Sequence, residues 1–334
     1  MWRIGIIGAG DYGQQHAKAL AELSNAKLVA ASRTNPEALN EFVSTYGGTG
    51  YTNYQGLLND KRVDIVMIAT PHHLHKDIAI ATAQAGKHIL LEKPFATTLA
   101  ECELIIQAVQ DADVKFMVGH VNHFVPAYQV AKEILESGEM GDVVLGLATM
   151  QKYWMESNRR NWHLDRDMGG GVWLTVGIHP LDRMTWLIDS PVTSVSAQFS
   201  TNFHEQRADD TGMAFLRYAS GAVATVVSTG YQTGVPKHLT ELTCTKGMMN
   251  IDYTRGVSIG QGETWRTIRE SIPSNDWMHM ALVEEWRQFL QSIDDDTTTP
   301  VSADFARHIM DVIFTAEQSS QEQREIKVTT TWDK

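Results

Sequence analysis

The fold of the first part of this chain is decided by residues 2–23, WRIGIIGAGDYGQQHAKALAEL. The apolar run at 2–7 predicts a buried strand, and residues 14–23 have the pattern of a helix. The glycines between them allow a tight turn and the close approach of a phosphate group at the helix N-terminus. The segment therefore predicts a unit that binds the pyrophosphate of a dinucleotide, and not a plain glycine turn. The predicted contacts are Gly8, Ala9, Gly10, Asp11, Tyr12 and Gly13.

Short apolar runs alternate with helical stretches over the first 120 residues. Further strands are predicted at 27–32, 63–70, 87–92 and 114–120, with helices at 36–46, 75–86 and 99–112. Strands that are so uniformly apolar are typical of a parallel sheet covered by helices on both faces. Residues 1–120 are therefore expected to form a doubly wound dinucleotide-binding domain of the Rossmann type.

The pattern changes from about residue 121. Long alternating stretches predict an antiparallel sheet, with hairpin turns at 219–221 and 246–247. Helices are expected at 126–138, about 277–293 and about 302–320. We expect an α/β protein whose second domain, residues 121–334, is built on a large, mostly antiparallel sheet. The open face of that sheet could be covered by another subunit.

The composition is that of a folded globular protein, and its charge limits the partners. Of the 334 residues, 43% are hydrophobic and 20% are charged, and the net charge is −12. So acidic a chain does not favour binding to nucleic acid or to an anionic membrane. Cys102 and Cys244 fit no metal or disulfide spacing, and no apolar run reaches the ~18 residues of a membrane span. With no secretion signal, the expected location is the cytoplasm.

The end of the second predicted strand bears on the choice of cofactor. An NAD site usually has an acidic residue there, which binds the ribose hydroxyls, but residues 31–34 read Ala-Ser-Arg-Thr. A guanidinium with two neighbouring hydroxyls favours a 2′-phosphate. Ser32, Arg33 and Thr34 therefore predict NADP, while a solvated Arg33 that permits NAD as well stays open.

Lys93 follows the strand at 87–92, at the edge of the sheet where such folds bind ligands. An ammonium group at that edge can polarise a substrate oxygen and stabilise a developing alkoxide. The alternative is a surface lysine that pairs with Glu92. The tetrapeptide Leu-Glu-Lys-Pro does not by itself decide between them.

A second candidate lies in residues 169–182, GGGVWLTVGIHPLD. At helical spacing His179 shares one face with Thr175, Asp182 and Arg183. Because free imidazole has a pKa near neutrality, a histidine here is suited to general acid or base catalysis. The alternative is a histidine buried in a core, and Asp182 has the further option of an ion pair with Arg183.

The loop at 152–168 combines indoles with basic side chains. Trp154, Arg159 and Trp162 are predicted to contact substrate, because sugar rings stack on indole and bond to donors at their edges. A subunit contact would use the same residue types. The chain has many histidines, but no metal-ligand spacing, so no metal site is predicted.

Taken together, the motifs resemble the family of glucose–fructose oxidoreductase, inositol dehydrogenase and the rhizopine-catabolism oxidoreductases, known as Gfo/Idh/MocA. The resemblance runs from residue 1 to at least about residue 255. It is carried by GAGDYG at 8–13, TPHHLH at 70–75, EKPF at 92–95, GHVNHFVPA at 119–127 and the segment GGGVWLTVGIHPLD.

The resemblance implies a Rossmann domain followed by an α/β domain, and dimers or tetramers that pack through the second sheet. It also implies that the nicotinamide lies between the two domains, with Lys93 and His179 flanking the reacting carbon. Lys93 would stabilise charge and relay a proton, and His179 would act as general acid or base. The further residues implied to lie at the cofactor are Thr70, Pro71, His72, His75 and Glu92.

Three positions depart from the family pattern. Thr175 stands where relatives commonly have an aspartate, His72 where asparagine is frequent and His123 where arginine is frequent. A threonine can exchange a hydrogen bond but cannot stabilise an imidazolium by charge. Asp182 could take over that role. Thr175, Asp182 and His123 are all predicted to contact substrate.

These observations favour an NADP-preferring oxidoreductase that interconverts a secondary hydroxyl and a ketone on a sugar, cyclitol or related polyol. Two alternatives stay open. The altered Thr175 site would suit an enzyme that holds its nicotinamide tightly and oxidises a sugar only transiently while it cleaves a glycoside. A cofactor-binding regulator with a decayed active site would share the fold without the chemistry.

Overall fold

Two compact units make up the protein, and a computed structural model describes residues 1–155, 159–253, 256–269 and 276–332. The first unit comprises Met1–His120 with Leu282–Arg307, and the second Val121–Ala281 with His308–Lys334. The chain leaves the first unit at residue 120, the end of the predicted first domain. Residues 282–307, which the sequence assigned to the second domain, belong to the first unit, because Trp286 packs edge-on against His16 with 6.0 Å between the ring centroids.

The first unit contains a parallel sheet of six strands. They are β1 (Trp2–Ile7), β2 (Ala26–Ser32), β3 (Thr49–Tyr51), β4 (Ile65–Ile68), β5 (His88–Glu92) and β6 (Phe116–Gly119). Their order is β3-β2-β1-β4-β5-β6, as expected of a doubly wound sheet. Because the winding reverses between β1 and β4, a crevice forms at the carboxyl ends of these two strands.

Five helices connect these strands. They are α1 (Asp11–Leu20), α2 (Pro36–Tyr46), α3 (Tyr54–Leu58), α4 (His75–Gln84) and α5 (Leu99–Asp111). Side chains cap three of them at the N-terminus: Asn35 on α2, Asn53 on α3 and Thr98 on α5. By contrast, α1 begins at Gly10 with no side-chain cap. A helix N-terminus of this kind favours the binding of an anion.

The second unit is built on a sheet of nine strands. They are β7 (Val143–Tyr153), β8 (Val192–Ser200), β9 (Thr211–Tyr218), β10 (Val223–Tyr231), β11 (Lys237–Cys244), β12 (Gly247–Asp252), β13 (Gly256–Gln261), β14 (Thr264–Arg269) and β15 (Ile326–Lys327). Their order is β14-β13-β12-β11-β7-β10-β9-β8-β15. β7 pairs with β10 in parallel and with β11 in antiparallel orientation. The predicted hairpins β9–β10 and β11–β12 are both confirmed.

The remaining helices are α6 (Pro126–Glu136), α7 (Ile178–Ile188), α8 (Trp277–Asp294) and α9 (Ala303–Glu322). Helix α7 packs closely on β7, since a Cβ atom added at Gly146 would lie 2.4 Å from the Met184 sulfur. On the opposite face of the sheet, Leu145 and Leu147 are exposed. None of the helices in the described ranges is both long and apolar enough to cross a membrane.

Candidate active site

A cavity of about 540 Å³ opens in the first unit at the carboxyl ends of β1, β2 and β4. Seven of the residues predicted to bind cofactor line it: Gly8, Gly10, Ser32, Arg33, Thr34, Thr70 and Pro71. The sequence reasoning missed the contribution of Thr52, Asn53, Tyr54 and Gln55. These residues follow β3, whose three residues are too few to give a clear strand pattern.

The three glycines of the loop have different structural roles. Gly8 has a φ of +96°, and a Cβ atom there would lie 2.3 Å from the Ala69 carbonyl oxygen. A Cβ atom on Gly13 would lie 2.5 Å from the Gly8 carbonyl oxygen, whereas at Gly10 the space is open for 4 Å among the described residues. Packing thus requires the first and third glycines, and the second leaves room beside the uncapped end of α1. This geometry fits a pyrophosphate.

The end of β2 is joined to this loop by hydrogen bonds. The Ser32 carbonyl oxygen accepts from the N–H groups of Gly8, at 3.0 Å, and Ala9, at 3.2 Å. Arg33 Nη1 donates to the Ala9 carbonyl oxygen at 3.0 Å. The guanidinium is therefore held beside the phosphate loop, on the wall of the cavity.

His75 connects the loops that follow β4 and β5. It is fully buried, with Nδ1 2.9 Å from the Pro94 carbonyl oxygen and Nε2 3.0 Å from that of Thr70. Burial lowers the pKa of His75, so the ring is neutral and donates to one carbonyl at a time. The imidazole thus holds Thr70 and the turn after Lys93 in place. His72, also buried, meets this ring edge-on at 5.7 Å.

The last residue of β5, Glu92, turns into the interior of the first unit, next to the half-buried Lys93. Glu92 Oε1 lies 2.9 Å from His16 Nε2. With Glu285 these side chains form a group of metal-ligand residue types, whose candidate atoms lie within 4.8 Å of one another. The Glu285 oxygens have no hydrogen-bond partner among the described residues, and burial followed by the charge of Glu92 raises the pKa of Glu285 well above its usual value.

The hydrogen bonds of His16 indicate that the cluster of His16, Glu92 and Glu285 holds a proton and does not bind a metal ion. Trp286 Nε1 donates to His16 Nδ1 at 3.1 Å, and an indole nitrogen can only donate. The imidazole hydrogen therefore lies on Nε2 and points to Glu92. A metal bound to Nε2 would force the hydrogen onto Nδ1, where it would face the N–H group of Trp286. A histidine that binds a metal instead needs a hydrogen-bond acceptor at its other nitrogen. Burial and the charge of Glu92, which raise the pKa of Glu285, favour its protonated form.

In the second unit, the glycine-rich segment is held by Asp209. A wide π-helical turn, Trp173–Gly177, leads into α7, and Asp209 Oδ2 accepts from the Trp173 N–H at 2.6 Å. Gly171 has a φ of +99°, and a Cβ atom there would lie 2.5 Å from Asp209 Oδ1. Burial raises the pKa of Asp209 to about 7. The glycine therefore permits the approach of the carboxyl group that caps the turn before His179.

His179 is buried in the first turn of α7 and contacts Asn122. Asn122 Nδ2 lies 3.3 Å from His179 Nδ1 and 3.4 Å from its carbonyl oxygen. Tyr253 donates its hydroxyl hydrogen to Asn122 Oδ1 at 2.7 Å. The sequence reasoning included neither Asn122 nor Tyr253, because both lie far from His179 along the chain. Thr175 is buried in the π-helical turn.

Two residues predicted to contact substrate, Asp182 and His123, contact each other. His123 Nε2 lies 2.8 Å from Asp182 Oδ1, and both side chains are buried. The His123 ring also stacks on Trp186, with 4.4 Å between the centroids. The carboxylate that the sequence offered as a substitute partner for His179 is thus engaged with a second histidine.

Arg183 extends from α7 into the sheet and is fully buried. Its acceptors are neutral: Thr240 Oγ1 at 3.0 Å, Tyr253 Oη at 2.7 Å, and the carbonyl oxygens of Thr149, at 3.0 Å, and Leu239, at 3.4 Å. The rings of Tyr128 and Tyr253 each lie 5.5 Å from the guanidinium. Desolvation lowers the pKa of Arg183, but the interactions with Tyr128, Tyr253 and Asp182 outweigh it, so the pKa is raised. The guanidinium remains a cation.

The indoles of the loop at 152–168 have different surroundings, and residues 156–158 of that loop lie outside the described ranges. Trp154 is fully buried and packs with Met150, Val172 and Val176. Arg159 lies over its ring at 4.5 Å and donates to its carbonyl oxygen at 3.0 Å. Trp162 is only partly buried and stacks on His163 at 3.6 Å. Trp154 thus anchors the loop from inside.

The parallel sheet and the glycine loop at its switch point define the first unit as a dinucleotide-binding domain of the Rossmann class. Residues 2–120 match the family GFO_IDH_MocA, described as an oxidoreductase family with an NAD-binding Rossmann fold. Residues 128–250 match the GFO/IDH/MocA C-terminal domain. The chain belongs to the Gfo/Idh/MocA oxidoreductase family.

Relatives of known name are distant in sequence but cover much of the chain. Levoglucosan dehydrogenase of Pseudarthrobacter phenanthrenivorans is 29% identical over 75% of this chain and 74% of its own length. Myo-inositol 2-dehydrogenase of Thermotoga maritima is 26% identical over 98% of both chains. The 2,7-anhydro-N-acetylneuraminate hydratase of Escherichia coli is 29% identical over 75% of this chain and 68% of its own length.

Solved structures confirm the fold over nearly the whole chain. A probable dehydrogenase from Thermotoga maritima superposes with a TM-score of 0.85 at 25% identity, covering 98% of each chain. Levoglucosan dehydrogenase in complex with NADH superposes with a TM-score of 0.89 at 22% identity, covering 99% of this chain and 100% of the other. At that identity the second likeness establishes the fold alone.

Proposed function

We propose that this chain is an NAD(P)-dependent oxidoreductase that interconverts a secondary hydroxyl and a ketone on a sugar, cyclitol or related polyol. The observation that carries the proposal is the cavity at the carboxyl ends of β1 and β4, whose glycine loop fits a pyrophosphate. Lys93 follows the neighbouring strand β5. Family membership and the named substrates of relatives, levoglucosan and myo-inositol, support the substrate class.

Residues of both units have roles in this reaction. The dinucleotide, when bound, supplies the hydride acceptor or donor. The N–H groups at the start of α1 hold its pyrophosphate, with Thr70 and Pro71 on the cavity wall. Lys93 and His179 flank the reacting carbon: Lys93 Nζ relays the hydroxyl proton and, once protonated, stabilises negative charge on the reacting oxygen, to which His179 forms a hydrogen bond. Thr175, Arg159 and Trp162 belong to the substrate side.

NADP is the proposed preferred cofactor, with NAD as a second substrate. Support comes from Arg33 on the wall of the cavity, between Ser32 and Thr34, where an NAD site has a carboxylate. The guanidinium is already fixed at the Ala9 carbonyl, so little side-chain entropy is lost when it meets a phosphate.

The second unit is proposed to form a homodimer or homotetramer through its sheet. Apolar residues are exposed on the side opposite α7, among them Leu147 on β7 and Met213 on β9, the two strands that flank β10. A second copy of the chain would cover this surface.

A transient oxidation is the second candidate. Thr175 lacks the charge of the family's aspartate, and the similarity to a hydratase shows that relatives include enzymes named for reactions without net oxidation. In this case a glycoside or anhydro-sugar would be converted without accumulation of reduced cofactor.

The test is to incubate the purified protein with NADP⁺ or NAD⁺ and a panel of polyols, cyclitols, sugars and anhydro-sugars. We expect reduced cofactor with at least one secondary alcohol, and its loss in Lys93→Met but not in the surface control Lys76→Met. Product formation without reduced cofactor would establish the second candidate instead. Cofactor binding without any conversion would contradict both.

A further inference from the structure

A chain of buried hydrogen bonds runs from Arg183 through Tyr253 and Asn122 to His179, and we call it the relay. Each residue in it donates to the next. Arg183 Nη1 donates to Tyr253 Oη at 2.7 Å, and a guanidinium has no acceptor. The Tyr253 hydroxyl, which accepts from Arg183, directs its own hydrogen to Asn122 Oδ1 at 2.7 Å. The positive charge of Arg183 thus fixes the direction of the bonds that follow.

The orientation of the Asn122 amide is fixed from two sides. Its oxygen faces the Tyr253 hydroxyl hydrogen, and its nitrogen lies 3.4 Å from the His179 carbonyl oxygen, which can only accept. The same NH₂ group has a second hydrogen and lies 3.3 Å from His179 Nδ1. A flipped amide would place an oxygen against the carbonyl and an NH₂ against the hydroxyl hydrogen, so Nδ1 accepts.

From this polarity we propose that Arg183, Tyr253 and Asn122 are positioning residues that hold His179 as the neutral tautomer with its hydrogen on Nε2. Water does not compete with the relay, because the exposed fractions of Arg183, Asn122 and Tyr253 are 0%, 1% and 4%. A proton added at Nδ1 would face the Asn122 NH₂ group, so the imidazolium is disfavoured.

The consequence for catalysis rests on the proposed function. With Nδ1 occupied as an acceptor, His179 has no basic nitrogen to offer and donates a hydrogen bond from Nε2 to the reacting oxygen. In alcohol oxidation a bound nicotinamide would supply the hydride acceptor, and the hydroxyl proton would pass to Lys93 Nζ, which would start as the free amine and end as the ammonium. The bonding also explains why a threonine suffices at 175: a neutral imidazole needs no carboxylate to stabilise its charge.

The test reads the tautomer directly in the protein without substrate or cofactor. Protein labelled with ¹⁵N-histidine is compared by NMR with His179→Gln, which assigns the His179 signals. We expect couplings of a neutral ring with hydrogen on Nε2 at pH 7. A ring with hydrogen on Nδ1, or an imidazolium, would overturn the proposal.

Variants separate the relay from general packing. Asn122→Asp replaces a donor by an acceptor, so hydrogen should move to Nδ1; Tyr253→Phe frees the amide and should mix the two tautomers. Tyr218→Phe removes another buried hydroxyl, 3.4 Å from Thr185 on α7, and should leave the tautomer unchanged. An unchanged tautomer in Asn122→Asp, or an equal shift in both tyrosine variants, would contradict the relay. Because no turnover is involved, failure of the polyol assay would overturn the proposed function without touching this result.

Discussion

Arg33 is the residue that tests the choice of cofactor. Replacing it in Arg33→Asp sets a carboxylate beside the phosphate loop, which repels a 2′-phosphate and accepts from ribose hydroxyls. We expect the KM for NADP to rise ~10- to 100-fold, because a charge-assisted hydrogen bond contributes ~1.5–3 kcal/mol, while the KM for NAD falls or holds. Lys27→Asp makes the same charge change at an exposed site on β2 and is the control. Equal effects of Arg33→Asp on both cofactors would rule out a 2′-phosphate contact.

The proposed catalytic role of Lys93 predicts a large loss of kcat when its amino group is removed. Lys93→Met keeps the length of the side chain but removes its charge and its proton. The kcat should fall ~10²- to 10⁴-fold, the range for one acid–base group, while cofactor affinity, measured by fluorescence titration, stays within a few-fold of the parent protein. If the variant keeps more than a tenth of the parent kcat, Lys93 has no catalytic role in the reaction.

The sequence identified residues whose motif is local, and missed those that meet through the fold. Gly8, Gly10 and Arg33 were predicted because loop and strand end follow fixed spacings, and all three line the cavity. Asn122 contacts His179, and Tyr253 contacts Asn122, each from a separate element, and no spacing along the chain reveals such contacts. The bond between His123 and Asp182 was equally invisible.

Among the elements, the turn before α7 depends on one carboxyl group. Asp209 caps the Trp173 N–H, and its pKa in the folded state is raised from 3.8 to about 7 by burial. The folded protein therefore binds a proton that the unfolded chain releases, and stability from this group is lost as the pH rises from about 4 to about 7. A rise of about three units corresponds to roughly 4 kcal/mol.

Asp209→Asn tests this directly, because an amide oxygen still accepts from Trp173 but does not titrate. Urea unfolding gives the free energy of unfolding of each protein. The value for the parent protein minus that for the variant should decrease between pH 5 and pH 8. The exposed Asp77→Asn serves as control and should show a nearly constant difference. If the difference for Asp209→Asn is also constant, the pKa of the Asp209 carboxyl group is not raised in the folded protein.

Element types were more predictable than their detail. Continuous apolar runs and alternating stretches specified most strands of both sheets, because burial on two faces or one leaves distinct patterns, but β3, β13, β14 and β15 were not predicted. Thr175 and His179 were expected at the spacing of a regular helix, but residues 173–177 form a π-helical turn. Its cap, Asp209, lies 36 residues further along the chain, so local pattern does not contain the cause.

For the whole molecule, the exposed sheet face predicts self-association. Leu147 on β7 and Met213 on β9, the two strands that flank β10 in the second unit, are 42% and 52% exposed. The double variant Leu147→Lys and Met213→Lys places two charges in the proposed contact and should raise the dissociation constant ~100-fold or more, since ~3 kcal/mol is a factor of about 100. Sedimentation velocity over a dilution series measures it.

The matched control is Val235→Lys, an equally drastic change at a residue 84% exposed outside the sheet. It should leave the sedimentation profile of the parent protein unchanged. A parent protein that is monomeric at every concentration, or a double variant that assembles normally, would show that this face has another use.

The hydride step itself is tested most directly by isotope transfer. Polyols, cyclitols and sugars deuterated at their secondary carbinol carbons are incubated with the protein and NADP⁺ or NAD⁺, and the recovered dinucleotide is analysed by mass spectrometry. We predict that deuterium from at least one substrate reaches the nicotinamide ring, and that Lys93→Met slows the transfer ~100-fold or more. A dinucleotide that binds the protein yet stays unlabelled with every substrate would contradict this assignment.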